Sequence, residues 1–314
     1  MRFVTKLAVL AAAGLIAAAP AKAETFINIL TGGTSGVYYP LGVALSQIYT
    51  DSVPESRPSV QATKASVENL NLLQDGKGEI AFTLGDSLAL AVKGDAEAGF
   101  SAPLDKLRTI AAIYPNTIQI VASQESGIKT LADLKGKRIS VGAPKSGTEL
   151  NARAILAGAG MSYEDLGQVE YLPFAESVEL MKNRQLDATL QSAGLGVASI
   201  RDLASSVPIT VVEIPADLVA KVGAPYLATT IPAGTYDGQD TDVQSAAVVN
   251  YLVTHADVPD DIVYAMTKAT FESLDDLAAA HAAAKDMKLE GAAANPPAPL
   301  HPGAERYFQE AGAL

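Results

Sequence analysis

Cysteine is absent from the 314-residue sequence, and histidine occurs only three times. The lack of cysteine excludes a disulfide framework, cysteine-ligated zinc, iron–sulfur clusters and thiol catalysis. His255, His281 and His301 are scattered and form no HExxH pair, so we expect neither a metal site nor a cofactor. Hydrophobic residues make up 48% of the chain and charged residues 18%, which is enough apolar material for a packed core.

Basic residues are also scarce, with 23 lysines and arginines against 35 aspartates and glutamates. The formal net charge is −12 and the isoelectric point is about 4.7. An acidic surface repels DNA, RNA and anionic lipid, so we expect no nucleic-acid partner and no membrane-surface partner.

A long hydrophobic run occurs only at the N-terminus, where Leu7–Ala19 contains 13 residues rich in alanine and leucine. Arg2 and Lys6 precede the run, and Ala21–Ala23 is a small-x-small cleavage signal, so residues 1–23 are predicted to be a secretory signal peptide. A run of this length cannot cross the roughly 30 Å of a bilayer core. Removing its three basic residues leaves 20 basic and 35 acidic residues, a mature net charge of −15, on a chain expected in the periplasm.

Short β-prone runs alternate with helical patterns through most of the chain. Phe26–Leu30 predicts a strand that is followed by a glycine-rich loop and a helix, and the same order recurs with a helix at Ser66–Gln74. Repeated β-α-β units predict an α/β fold with a mostly parallel sheet. Leu107–Ile113 and Ile118–Ala122 predict two separate strands, and Val243–Val253 fits either a strand or a buried helix.

Two α/β blocks are expected from this rhythm. Domain I comprises residues 24–114 together with 228–314, and domain II comprises residues 115–227. The chain would cross between them near Tyr114–Ser123 and near Ala224–Ile231. Two crossings beside a cleft are typical of a hinged binding protein.

Four loops have the placement of ligand-binding loops, because ligands of open α/β sheets lie beyond the carboxyl ends of the strands. The loops are Thr31–Tyr38, Thr63–Ser66, Ala143–Thr148 and Gln191–Gly194. They offer backbone N–H groups at helix starts, hydroxyls, amides and lysines, which favour an anion. They offer no general base, no nucleophile and no metal ligands.

Plainer interpretations of these residues stay open. Ser66 and Thr148 also fit simple helix N-caps, and Lys64 also fits a solvated surface lysine. Tyr114, which precedes a proline, also fits a brace for a hinge strand.

Enzyme motifs fail at their essential positions. Gly142 and Gly147 have the spacing of a P-loop, but Thr148 and Glu149 stand where lysine and serine or threonine are required. Gly33–Gly36 is not a GxSxG nucleophile motif. We therefore predict that the protein is not an enzyme, although a hydrolase built on scattered carboxylates stays open.

The segment Thr31–Gly42, TGGTSGVYYPLG, resembles the opening signature of the TAXI family, the TRAP-associated extracytoplasmic immunogenic solute receptors. The similarity continues in order along essentially the whole mature chain, at Ser66–Asn69, Leu134–Arg138 with Ser140–Gly142, Ser146–Thr148 with Asn151–Arg153, and Pro299–Tyr307.

The resemblance implies a periplasmic binding protein-like fold of type II, in which two α/β domains close on a small ligand. It implies a monomeric solute receptor that delivers its ligand to a TRAP permease of fused subunits, driven by an ion gradient. It also implies glutamate, 2-oxoglutarate or a similar C4–C5 dicarboxylate as the ligand. A periplasmic sensor that presents its closed form to a membrane kinase stays the alternative.

The sequence departs from the family pattern in the loops that would touch the ligand. Thr63-Lys64-Ala65 stands where Thr-Gly-Gly is common, and Lys145 stands where glycine is frequent. Leu84 stands where a glutamine is often found, and Gln191 lies in a segment that is usually apolar. A cleft with these changes does not have to bind the same ligand, in the same pose, as other members do.

Each candidate residue is given an expected role. Thr34, Ser35, Ser66, Ser146, Gly147 and Thr148 supply hydroxyls and backbone N–H groups to a carboxylate, and Tyr38 and Tyr114 wall the cleft. Asn69 and Gln191 contact polar groups of the ligand. Asp86 would pair with an ammonium group, and Lys64 would pair with a second carboxylate.

Overall fold

The computed structural model describes residues 24–314, so the predicted signal peptide lies outside the described residues. Ten strands are present: β1 (Thr25–Leu30), β2 (Ser56–Gln61), β3 (Ile80–Leu84), β4 (Leu107–Ser123), β5 (Arg138–Ser140), β6 (Gln168–Glu170), β7 (Ala188–Ala193), β8 (Ile209–Val212), β9 (Leu227–Ile231) and β10 (Val243–His255). Ten α-helices accompany them: α1 (Tyr38–Ser52), α2 (Ser66–Gln74), α3 (Gly85–Lys93), α4 (Gly147–Gly158), α5 (Phe174–Lys182), α6 (Ala198–Ser206), α7 (Ala216–Val222), α8 (Asp260–Glu272), α9 (Leu274–Ala280) and α10 (Pro302–Glu310). None of the helices in this part of the chain has both the length and the apolarity to cross a membrane.

All ten strands belong to one mixed sheet, with the order β2-β1-β3-β10-β4-β7-β5-β6. Strand β8 pairs with β4, and β9 pairs with β10. Of the nine strand pairs in residues 24–314, four are parallel and five are antiparallel. The prediction of a mostly parallel sheet is therefore wrong, because β4 and β10 run antiparallel to every strand beside them.

Strand β4 is a single 17-residue strand where the sequence predicts two shorter ones. Pro115, which falls between the two predicted strands, lies within β4 and is exposed. The ladder between β4 and β10 shifts register next to it, between Val249 and Tyr251. A proline is tolerated at such an irregularity, because the missing N–H removes no regular ladder bond.

Strand β10 decides the open question of residues 243–253, which form an antiparallel strand. It pairs with β4 along most of its length, and with β3 and β9 as well. Ten of its 13 residues are buried, and the exceptions are half-buried Val243 and Val249 and exposed Gln244. A strand covered on both faces is continuously apolar, so its sequence has neither the period of a helix nor that of a half-exposed strand.

Asn69 ties helix α2 to two strands. Its side chain is fully buried, and its amide nitrogen donates to the carbonyl oxygens of Thr31 at 2.7 Å and Phe82 at 2.8 Å. Its amide oxygen accepts from the Thr63 hydroxyl at 2.6 Å. These bonds place the start of α2 directly beyond the ends of β1 and β3.

Replacing Asn69 by alanine is expected to lower the free energy of unfolding by about 3 kcal/mol, because the change leaves buried carbonyl oxygens without a donor. Urea unfolding followed by circular dichroism measures the loss. Asn71→Ala on the same helix is the control, since the Asn71 amide is half-buried and bonds within the helix, to the Val67 carbonyl at 2.8 Å. Its effect should stay below about 1 kcal/mol, and equal losses in the two variants would refute the structural role of Asn69.

Candidate functional site

A cavity of about 120 Å³ lies beyond the carboxyl ends of β1, β3 and β7. Three of the four loops that the sequence singles out enclose it, and Ser192 and Ala193 of the fourth also contribute. The volume is several times what one water molecule needs, which suits a small organic ligand. Its wall consists of Gly32, Gly33, Gly36, Val37, Tyr38, Thr63, Lys64, Ala65, Ser66, Leu84, Asn116, Ala143, Ser146, Gly147, Thr148, Pro173, Phe174, Ser192 and Ala193.

The N-termini of five helices meet at this cavity. Tyr38, Ser66, Gly147 and Phe174 are the first residues of α1, α2, α4 and α5, and Leu84 immediately precedes α3. First-turn N–H groups have no partner within their own helix, and each helix N-terminus carries about half a positive charge. Together these features make the cavity electropositive.

Lys64 is the one charged residue in the described wall of the cavity, and no aspartate or glutamate belongs to that wall. Four of these helices carry an acidic residue in the first turn, namely Glu68, Asp86, Glu149 and Glu176. Glu68 accepts from the Lys64 backbone N–H at 2.6 Å, and Glu149 pairs with Arg153 at 2.7 Å. None of the four lines the cavity.

Six of the twelve predicted site residues line the cavity: Tyr38, Lys64, Ser66, Ser146, Gly147 and Thr148. Ser146 is the N-cap of α4, since its hydroxyl accepts from the Glu149 N–H at 3.2 Å. Thr148 lies two residues after this N-cap and is not the cap itself, and Ser66 follows the N-cap of α2. The plain N-cap interpretation of Ser66 and Thr148 is thus wrong.

Thr34 and Ser35 do not line the cavity, although their loop does. The Thr34 residue is exposed and Ser35 is partly exposed. Gly32, Gly33 and Gly36 bring the backbone of the same loop to the wall instead.

Asn69, Tyr114 and Gln191 are buried and do not line the cavity. The Asn69 amide bonds to the ends of β1 and β3, as described above. The Gln191 amide oxygen accepts from the Ser199 hydroxyl at 2.6 Å. The Tyr114 side chain lies in the hydrophobic core, where burial raises the pKa of its hydroxyl.

Asp86 also lies away from the cavity wall, in a buried network of neutral groups. Its carboxylate accepts from the Asn151 amide at 2.6 Å, the Tyr226 hydroxyl at 2.8 Å and the Ser87 N–H at 2.7 Å. Burial raises the pKa of the Asp86 carboxyl, and the hydrogen bond from Tyr226 opposes that rise. These donors link residue 86 to residues 151 and 226 across the molecule.

Two loops touch directly at the edge of the cavity. A Cβ atom added to Gly147 would lie 2.6 Å from the Ser66 hydroxyl oxygen and 2.6 Å from a methyl carbon of Leu84. The Glu68 N–H donates to the Lys145 carbonyl oxygen at 3.1 Å. The start of α4 therefore packs closely against the starts of α2 and α3.

Two non-glycine residues beside the cavity adopt the left-handed backbone region. Ala65 has φ of 71° and Lys145 has φ of 60°. Such conformations favour glycine and cost about 1–3 kcal/mol each for other residues. The neighbouring packing, including the contact at Lys145, must hold the backbone in this shape.

Asn116 and Ser192 line the cavity but were not among the predicted site residues. The Asn116 amide nitrogen donates to the Ser192 carbonyl oxygen at 3.1 Å. Asn116 falls between the two strands that the sequence predicts in place of β4. A polar residue between two apolar strands was the sequence feature that could have marked it as a site residue. Ser192 lies inside the fourth candidate loop, where Gln191 was chosen instead.

Residues 24–314 contain no cluster of three or more histidine, cysteine, aspartate or glutamate side chains that could hold a metal ion. The cavity wall itself offers backbone N–H groups, hydroxyls, the Asn116 amide and one lysine.

A model of the NMT1-like family matches residues 29–312. The chain belongs to the NMT1-like family. The family match covers nearly all of the described residues, including every loop around the cavity.

Solved structures share the fold of this NMT1-like chain. A periplasmic transporter structure aligns with a TM-score of 0.59 at 11% identity, covering 92% of this chain and 93% of that one. A putative L-cystine ABC transporter protein from Listeria monocytogenes aligns at 0.53 and 16% identity, covering 84% and 98%. The alkanesulfonate-binding protein SsuA from Xanthomonas axonopodis pv. citri, bound to MOPS, aligns at 0.50 and 17% identity, covering 92% and 85%. The predicted α/β, periplasmic binding protein-like fold is confirmed.

Tyr226→Phe is expected to lower the free energy of unfolding at pH 7 by about 2 kcal/mol, because it removes a donor from a buried carboxylate. Loss of the donor raises the folded-state pKa of Asp86 further above its unfolded value. The loss of unfolding free energy in the variant is therefore fully present above the folded-state pKa of Asp86. It shrinks as the pH falls through that pKa, because a protonated carboxyl needs the donor less. Urea unfolding at pH 7, 6 and 5 measures this dependence.

Tyr171→Phe is the matched control, because Tyr171 is 43% exposed. It should change the stability by less than about 0.5 kcal/mol at each pH. A Tyr226→Phe variant that loses no stability at any of the three pH values would contradict the assignment of the hydroxyl to Asp86.

Proposed function

We propose that the protein is a periplasmic solute receptor of a TRAP transporter of the TAXI type, which captures a small organic anion in the cavity. The single observation that carries the proposal is the meeting of five helix N-termini and Lys64 around a wall without acidic side chains. Backbone N–H groups and hydroxyls at Ser66, Ser146, Gly147 and Thr148 would bind a carboxylate. Lys64 would bind a second anionic group.

The acidic surface does not oppose this function. Charges in solvent are screened beyond about 8 Å at physiological ionic strength. The affinity for an anion in a small cavity is therefore set by the oriented N–H groups and the lysine around it. The mature net charge of −15 would mainly slow the arrival of the anion at low salt.

Ligand capture would use two lobes, residues 24–114 with 228–314 and residues 115–227. Strands β4 and β10 would connect them, and the loops at Ser66 and Gly147 would meet when the cleft closes. The close contact of Gly147 with Ser66 and Leu84 supports a closed arrangement of these lobes. The Asp86 network, which joins Asn151 and Tyr226, would lie at the same junction.

The TAXI assignment rests on the signature segments and is supported by the backbone around the cavity. Ala65 and Lys145 stand where that family commonly has glycine, and both adopt positive φ. Ion-gradient-driven uptake through a fused-subunit permease, monomeric action in the periplasm and the absence of catalysis all follow from this assignment.

A receptor for organic sulfonates is the second candidate. SsuA, which shares the fold, is named as an alkanesulfonate-binding protein and was solved with MOPS. An electropositive cavity would accept a sulfonate group by the same helix N-termini that would accept a carboxylate. The ligand panel below separates the two.

The mature chain, residues 24–314, is expected to bind an organic carboxylate, and the binding should raise its melting temperature by several degrees. The protein is first unfolded and refolded to remove any bound ligand. The panel contains glutamate, glutamine, 2-oxoglutarate, 2-hydroxyglutarate, succinate, malate, lactate, neutral amino acids, monocarboxylates and alkanesulfonates. Calorimetry then gives the dissociation constant, and Lys64→Ala should weaken a dicarboxylate more than about tenfold.

Lys77→Ala is the control for Lys64→Ala, because Lys77 is an exposed lysine that pairs with Asp75 away from the cavity. It should leave the dissociation constant unchanged. Tightest binding of a sulfonate would favour the second candidate, and a flat response to every anion would refute the proposed function.

Gly147→Ala is expected to weaken the tightest ligand by more than about tenfold, because the new methyl group would overlap Ser66 and Leu84 and hold the cleft open. Calorimetry measures the affinity, and small-angle scattering should show a smaller compaction on ligand addition than in wild type.

Gly158→Ala in the same helix is the matched control. Its methyl group would lie 2.5 Å from a methyl carbon of Val222 in α7, far from the cavity loops. We expect a loss of stability with the ligand affinity retained. Equal losses of affinity in both variants would show that the Gly147 effect is not specific to closure.

A further inference from the structure

The Asn116 side chain has one polar atom without a protein partner. Asn116 is 2% exposed and lines the cavity. Its amide nitrogen donates to the Ser192 carbonyl, which can only accept, so the orientation of the amide is determined. Within residues 24–314, the amide oxygen of Asn116 is buried and accepts no hydrogen bond. A buried acceptor without a donor is unfavourable until a ligand supplies one.

The two hydroxyls near Asn116 in the cavity wall already donate to protein acceptors. The Tyr38 hydroxyl donates to the Asn250 amide oxygen, and the Asn250 nitrogen donates to the Tyr114 carbonyl at 2.8 Å. The Ser192 hydroxyl donates to the Asn151 amide oxygen at 2.6 Å. To a ligand, Tyr38 and Ser192 can therefore offer only lone pairs.

The buried carboxylate of Asp86 determines the direction of the second of these bonds. The Asn151 amide nitrogen donates to Asp86 at 2.6 Å and to the Tyr226 hydroxyl at 3.1 Å, so the Asn151 amide oxygen faces Ser192 and accepts from its hydroxyl. Asp86 thus acts as a positioning residue that turns the Ser192 hydroxyl proton away from the cavity.

The cavity consequently has two chemically different sides. The helix N-termini and Lys64 donate hydrogen bonds, whereas Asn116, Tyr38 and Ser192 accept them. A ligand that carries only carboxylates would place its hydrogen-bond acceptors against the acceptors of Asn116, Tyr38 and Ser192. An ammonium group would meet five positive helix ends and a lysine, with no acidic residue in the wall to pair with it.

We infer that the ligand is a hydroxycarboxylate, whose carboxylate binds at the helix N-termini and whose neutral hydroxyl donates to the Asn116 amide oxygen. This inference rests on the proposed function, an anion receptor. It narrows the ligand to acids that carry a hydroxyl group near the carboxylate.

Two sets of ligands that differ in one group test the inference on the refolded wild-type chain. One set is racemic lactate, propionate and racemic alanine, and the other is racemic malate, succinate and racemic aspartate. In the set whose length fits the cavity, calorimetry should find the hydroxy acid at least about tenfold tighter than the acid without the hydroxyl, and tighter than the amino acid.

Asn116→Leu and Asn116→Ala test the residue itself. Each should reduce the preference for the hydroxyl to less than about threefold, while the acid without the hydroxyl binds nearly as in wild type. Asn183→Ala, at an exposed asparagine, is the control and should keep the wild-type preference. If one Asn116 variant does not fold, the other still tests the residue. The comparison of ligands on the wild-type chain needs no variant.

The outcomes separate this inference from the proposed function. If the tightest anion of the whole panel carries no hydroxyl, or if the preference survives in the folded Asn116 variants, the inference is wrong and the anion receptor stands. If the amino acid of a set binds most tightly, the group that donates to Asn116 is not a neutral hydroxyl, and the inference is wrong. If no anion binds, the proposed function fails and this inference fails with it.

Discussion

Unpaired N–H groups at converging helix ends set the main electrostatic constraint of this molecule. Five helices begin at one small cavity, and the first-turn N–H groups of a helix have no partner within it. Acidic side chains ordinarily compensate such ends. Here Asp86 accepts from the Ser87 N–H of its own helix as well as from Asn151 and Tyr226, and Glu149 bonds to Arg153; neither residue lines the cavity. An anion bound in the cavity would compensate the positive ends that remain.

The sheet explains how these helix ends come together. Strands β4 and β10 are long, adjacent and antiparallel, and they connect the β1-β2-β3 side of the sheet to the β5-β6-β7 side. Parallel strands on each side end near the cavity, so the helices that follow β3 and β5 start there. The contact of Gly147 with Ser66 and Leu84 then brings the two sides within van der Waals distance. A glycine suits this point because a Cβ atom would lie 2.6 Å from both a Leu84 methyl carbon and the Ser66 hydroxyl oxygen, so these side chains would have to shift.

Asp86 illustrates how a charged residue can shape a site without touching its ligand. The sequence suggested a partner for an ammonium group, but the carboxylate is buried and held by neutral donors. Its requirement for donors orients Asn151, and Asn151 in turn orients the Ser192 hydroxyl. The hydrogen-bonding character of the wall therefore depends on a carboxylate that lies outside it. The same burial raises the Asp86 pKa, so the network is sensitive to protonation.

The sequence by itself determined the α/β class, the helix at Ser66–Gln74 and the loops at 31–38, 63–66 and 143–148, because glycine-rich turns, N-caps and hydrophobic periodicity act over a few residues. Tertiary structure alone decided that residues 107–123 form one strand, since pairing with β10 bridges Pro115. It also decided that Asn69 and Asp86 bond to the protein, that Gln191 is buried away from the cavity, and that Asn116 lines it. Asp86 meets partners 65 and 140 positions away. Which polar side chain keeps a free atom depends on such distant partners, and no local pattern encodes them.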